Sequence, residues 1–246
     1  MVHSYDHALA FVLIVLFPLR AATFGFRRLQ RATPDRLPAT RRAVYRDAIV
    51  IQWSLAAVVL AIWAWRGRAW GALGLEPRVT AGLIGVAAAS VLIALLLLRQ
   101  RAQVLKDDEA LDHLREKMRS LEVMLPHARA ELPLFAALAA TAGLCEELLY
   151  RGYLLWYFAQ RLDVIPAAAL TAVVFGVGHA YQGLAGMLKT GLVGAFLATV
   201  YLVTGSLYLP MLLHGLMDLH SGHLMMKAYE RESAFAASSD AGEVSA

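Results

Sequence analysis

Residues Gly143–Leu154 read GLCEELLYRGYL. Two adjacent carboxylates, Glu146 and Glu147, and the Arg151 guanidinium stand in a stretch that otherwise reads as hydrocarbon-facing helix. On a helix Glu147 and Arg151 are four apart and share a face, while Glu146 is turned away from Glu147 by roughly 100°. The pair neutralises itself, and a purely structural clamp explains it as well as any function does. Glu146 has no partner on its own helix, so it must take one from another helix or hold its proton. Ionisable groups inside a membrane span face the bundle interior and mark function, and a carboxylate so placed suits a general base.

That the surroundings are membrane follows from composition. Hydrophobic residues make up 59% of the chain and charged residues 17%, and the mean hydropathy is +0.55, values far from those of a soluble domain. Crossing a hydrocarbon core takes roughly 20 helical residues. Stretches of that length lie at about 7–25, 44–65, 79–98, 132–156, 165–182, 186–204 and 207–226. The expected fold is therefore all-α, a polytopic membrane bundle of about seven transmembrane helices. The first stretch lacks the basic start and small-residue cleavage site of a signal peptide and reads as an anchor.

Basic residues orient the bundle. Arg27, Arg28, Arg31, Arg36, Arg41, Arg42 and Arg46 lie between the first two spans, and Arg99, Arg101, Lys106, Arg115, Lys117, Arg119 and Arg129 between the third and fourth. Both connections are expected in the cytoplasm, with the N-terminus outside and the C-terminus inside. The opposite connections hold only Arg66, Arg68, Arg78 and Arg161. The net charge of +4 then reports topology and contact with anionic lipid, and no nucleic-acid partner is expected. Cys145 is the only cysteine, so no intrachain disulfide forms.

Four regions follow. Residues 1–98 read as anchoring helices and 132–226 as the polar-bearing bundle. Residues 99–131 form an amphipathic cytoplasmic connector, in which Leu105, Leu111, Leu114, Met118, Leu121 and Leu125 recur at three- or four-residue steps. Such a helix lies on the membrane surface or packs on the bundle; Pro126 and Pro133 re-aim the chain into the next span. The tail, 227–246, rich in Ala, Ser and acidic residues, is expected to be disordered.

Partners for Glu146 are available in two later spans. TAVVFGVGHAYQG sets Phe175 and His179 four apart, with Gly176, Gly178 and Gly183 removing side-chain bulk so that another helix can approach. TGSLYLPMLLHGLMDLHSG sets His214 and Asp218 four apart on one face. Any one intramembrane histidine is as often an interhelical hydrogen-bonding group as a catalyst. One Glu, two His and one Asp on three helices can nevertheless converge on a single polar pocket. Counting at 1.5 Å per residue puts Glu146 and His214 at similar depth, with His179 about 8–10 Å shallower. His220 and His223 read as interfacial, Gly205–Ser206 and Asp163 with Pro166 as helix starts.

GLCEELLYRGYL, FGVGHAYQG and HGLMDL resemble the three motifs E-E-x-x-x-R, F-x-x-x-H and H-x-x-x-[ND] of the CPBP family. These are intramembrane endopeptidases that include the type II CAAX prenyl protease (Ras-converting enzyme) and bacterial Abi-type bacteriocin-processing or immunity proteins. The resemblance covers about residues 132–222. It implies a helical bundle around a cavity, in the bacterial inner membrane, acting on membrane-inserted or lipidated peptides. It further implies Glu146 as the base that activates water, assisted by His179; His214 and Asp218 at the oxyanion; and Glu147, Arg151 and Phe175 in support. Asp218 departs from the Asn of the prenyl proteases. Ionised Asp cannot donate to an oxyanion, so either it is protonated or it orients His214. The resemblance favours a metal-independent glutamate mechanism without cofactor. Zinc, held by Glu146, His179, His214 and Asp218, is the lesser alternative.

Other protease signatures are missing from the sequence: there is no H-E-x-x-H, G-x-G-D or G-x-S-G. Two further readings remain. One is a non-enzymatic immunity or scaffold protein that keeps the polar cluster to bind a partner. The other, a transporter with a proton relay, is disfavoured because no inverted repeat is visible.

Overall fold

A computed structural model describes residues 2–77 and 81–243. Among them there is no strand, as expected where every backbone polar group must be satisfied inside its own segment. Eight helices are named here: α1 (Ser4–Gln30), α2 (Leu37–Trp65), α3 (Ala81–Val104), α4 (Asp108–Met118), α5 (Arg129–Ala159), α6 (Val164–Gly178), α7 (Gly183–Thr204) and α8 (Tyr208–Glu243).

All seven expected stretches are helical, but among the described residues five helices are long and apolar enough by length and composition to cross a membrane: α1, α2, α5, α7 with its preceding turn, and α3 from Ile84. α6 is a shorter apolar helix of 15 residues, about 22 Å long, and α8 mixes its apolar residues with His214, Asp218, His220 and His223. The start expected at 79, and Arg78, lie outside the described residues. Large apolar side chains such as Ile84, Leu95, Leu188 and Leu192 are exposed, as on a surface that meets lipid.

The bundle has two chemically different ends. At one, Arg41 Nη1 donates to Glu131 Oε2 at 2.6 Å and both side chains are buried. Beside them Tyr45 donates to the Met124 carbonyl and Arg231 to that of Leu105. The connections bearing the two arginine-rich runs thus meet at a single end, the arrangement that the positive-inside rule requires of them. At the other end Arg68 forms a fork onto buried Asp6, at 2.9 and 2.7 Å, and lies over the rings of Trp63 and Trp156. Leu207 N there donates to the Gly74 carbonyl at 2.9 Å.

The connector packs on the bundle. Asp107 Oδ1 accepts from the Glu109 and Ala110 amides and starts α4. Leu111 and Leu125 then enter a core with Tyr45, Phe135, Met225 and Ala228. Helix α8 continues through Glu243, so the tail expected to be disordered is helical there; Ala, Ser and Glu extend a helix already nucleated by its packed half at little cost.

The anchoring stretch does not stand apart. Leu9, Leu13, Val59 and Trp63 share one core with Leu149, Tyr150, Tyr153 and Phe175. Two glycine contacts set the remaining geometry. A Cβ on Gly143 would lie 2.6 Å from the Met211 carbonyl and 2.7 Å from the Gly215 nitrogen, so α5 and α8 touch backbone to backbone. A Cβ on Gly176 would lie 2.8 Å from the Met187 carbonyl, which fixes α6 against α7 equally closely.

Candidate active site

The Gly143–Gly215 contact brings the next turn of α5 against His214. Glu147 Oε1 accepts from Arg151 Nη1 at 2.7 Å and pairs with His214 Nδ1 at 2.8 Å, with Glu147 and Arg151 fully buried. From Leu148 to Leu154 the helix widens into a π turn, every residue of which is buried; such bulges recur at functional sites. Arg151 Nη2 also donates to the Gly194 carbonyl at 3.1 Å, and its guanidinium lies 4.3 Å from the centre of the Phe175 ring. Gly194 suits this contact, since a Cβ on it would stand 3.0 Å from Nη2 and 3.1 Å from the Phe175 ring and would press on both.

Glu146, turned away from that pair as helix geometry demands, is buried and faces α2, where Gln52 Nε2 donates to its Oε1 at 3.0 Å. Sequence reasoning missed Gln52. The available signal was an amide at a membrane-buried position of α2, in a stripe whose buried members include Tyr45, Gln52, Ala56, Val59 and Trp63, spaced by three, four or seven.

His179 caps the C-terminus of α6 and its Nδ1 lies 2.8 Å from the Phe175 carbonyl. A carbonyl only accepts, so Nδ1 carries a proton, and in the neutral ring Nε2 is an acceptor. The Phe175 ring links the two histidines, 4.7 Å from that of His179 and 5.9 Å from that of His214. Asp218 Oδ2 lies 3.7 Å from His214 Nε2, beyond hydrogen-bond length. The contact that orients His214 is thus made by Glu147, from a neighbouring helix, and not by Asp218 one turn along α8.

Glu146, His179, His214 and Asp218 all line one cavity of about 970 Å³, shared with Gln52, Tyr150 and Phe175. The expected depth offset of His179 does not keep it from the others. His220 and His223, expected at the interface, also line this cavity, and Arg101 Nη2 lies 3.2 Å from His223 Nε2. Among the described residues no three His, Cys, Asp or Glu side chains are grouped so as to hold a metal ion. Glu146, His179, His214 and Asp218 are not grouped closely enough for zinc in this arrangement, although the Nδ1 contacts of both histidines leave each Nε2 open.

A buried, internally paired polar cluster thus opens on a large cavity inside the helix bundle. Residues 128–220 match the family described as type II CAAX prenyl endopeptidase Rce1-like, so this stretch of the chain is similar to that family. The match spans α5 to the middle of α8 and includes every expected site residue, whereas Gln52 lies outside it. No curated protein and no solved structure matched the chain. The molecule is an integral membrane protein.

Proposed function

We propose that the chain hydrolyses a peptide bond of a membrane-associated, lipidated or membrane-inserted substrate, with water activated by Glu146. The observation that carries this reading is the convergence of Glu146, His179, His214 and Asp218 on one cavity from three helices. Substrates of the CAAX type, peptides bearing a prenyl group, are those that the family suggests.

Glu146 takes a proton from water as the oxygen attacks the scissile carbonyl carbon. It returns that proton to the amine as the C–N bond breaks. His179, its Nε2 an acceptor, assists in holding the water. With Nδ1–H committed to Glu147, His214 in its doubly protonated form presents Nε2–H to the cavity and donates to the oxyanion, a contact often worth about 3–4 kcal/mol. Arg151 neutralises Glu147, so the carboxylate orients the imidazole without adding net charge to the pair. Asp218, near Nε2, stabilises the charged ring. The arginine-rich end faces the cytoplasm, with the N-terminus on the other side.

Purified protein, incubated with a library of membrane-inserted and prenylated peptides, tests the reading. Cleavage that Glu146→Gln abolishes, with the variant's melting temperature unchanged, is the expected result. Turnover near that of the wild type in Glu146→Gln would reject Glu146 as the base. Binding without cleavage by the wild type would favour a non-enzymatic partner protein.

A further inference from the structure

The mechanism leaves one buried polar side chain unused. Gln52 is 5% exposed and Glu146 8%. The amide occupies the packing stripe of α2, between Tyr45 and Ala56, where an apolar side chain would be the cheaper choice. Burying an amide is costly for each group left without a partner. Its Nε2 spends its hydrogen bond on Glu146, and its Oε1 is buried with no partner. Packing alone does not account for such a residue, whereas a fixed contact to Glu146 does.

Rigid surroundings hold it there. The next residue, Trp53, donates from Nε1 to Thr141 Oγ1 at 3.2 Å, which pins α2 to α5 between one and two turns before Glu146. A glutamate carboxylate rotates broadly about its last side-chain torsion. Engaging Oε1 from α2 restricts that rotation and leaves Oε2, on a side chain that lines the cavity, to take a proton. We propose that Gln52 is a positioning residue, which holds the Glu146 carboxylate in the orientation that removes a proton from water. The proposal rests on the reading of Glu146 as base. It assigns to α2, outside the family match, a part in the reaction.

Two readouts test it. Gln52→Met keeps length and volume but removes the donor, together with the partnerless Oε1; Gln52→Leu serves if the first variant does not accumulate. A misplaced base lowers turnover more than substrate binding, so kcat should fall about 10- to 100-fold with KM within about twofold. The melting temperature should stay within a few degrees of wild type. Infrared difference spectra supply the second readout: the carboxyl bands that vanish in Glu146→Gln should shift in Gln52→Met, because their hydrogen bond has gone. Unchanged bands, or kcat within twofold of the wild type, would overturn the proposal, as would a loss of activity matched by a fall in melting temperature. Should the wild type cleave nothing while the bands do shift, the proteolytic reading fails and the hold of Gln52 on Glu146 stands.

Discussion

Glu146 and Glu147 are neighbours with the same chemistry and opposite surroundings. Glu147 is enclosed between Arg151 and His214, and one of its oxygens, Oε2, has no hydrogen-bond partner. Removing Arg151 would strand this carboxylate in the interior, at a cost of about 3–5 kcal/mol. Arg151→Ala should therefore lower the melting temperature in detergent, and Glu147→Ala with Arg151→Ala together should recover part of the loss. Additive losses in that double-mutant cycle would mean that the pair is not coupled. Because Glu147 also orients His214, the double variant should regain stability without regaining activity. Asp218 is different, since it only approaches Nε2. Asp218→Asn fits the same space and can donate to an oxyanion, so it should keep measurable turnover, whereas Asp218→Ala should lose more in kcat than in KM. Equal activity of the Ala variant and the wild type would remove Asp218 from the site.

At the scale of elements, the crossing of α5 and α8 decides whether the polar groups meet. Gly143 and Gly215 allow the backbones to touch, and His214 on α8 reaches Glu147 only because they do. Gly143→Ala would press a methyl group onto the α8 backbone, where no flexible side chain can yield. An overpacking cost of about 1–3 kcal/mol is expected, and the helices should separate by a few tenths of an ångström or more. Activity should then fall further than stability alone explains, because the His214 contact is short and directional. A Gly143→Ala variant with full activity would show that the crossing tolerates the methyl and does not set the site. The same reasoning applies to Gly176 against Met187 on α6 and α7, and there it is His179 that would be displaced.

For the whole molecule, the two ends of the bundle make a prediction about sidedness. Cys145 is buried and is the only cysteine, so Cys145→Ala gives a background for placing single cysteines. Thr33→Cys, in the arginine-rich connection, should react with an impermeant maleimide only when the cytoplasmic face is open. Gly67→Cys is unsuitable for the other face, since that glycine has φ of +58°. Glu76→Cys serves instead, and should react from the outside of sealed cells. Labelling in the reverse pattern would invert the topology. Arg41 and Glu131 join α2 to the start of α5 at the arginine-rich end. Loss of either partner should loosen the contact between the first helices and the family-matched stretch, with a measurable fall in melting temperature.

Much of this was legible in the residues. Hydropathy and run length gave membrane helices, because a backbone in hydrocarbon has few alternatives to a helix. Spacing of four gave the Glu147–Arg151 pair, since partners on one helix face are fixed by the helix itself. The three motifs indicated which residues to expect at the site. What lies between helices was not legible. The sequence offers no rule by which Gln52, 94 positions before Glu146, should be its partner, nor by which Glu147 and not Asp218 should hold His214. Those contacts depend on which glycines touch and how the helices cross. Local spacing by itself determined the helices and their charged faces; only the tertiary packing decided which buried polar groups satisfy one another, because a hydrogen bond between helices requires a distance that no single helix specifies.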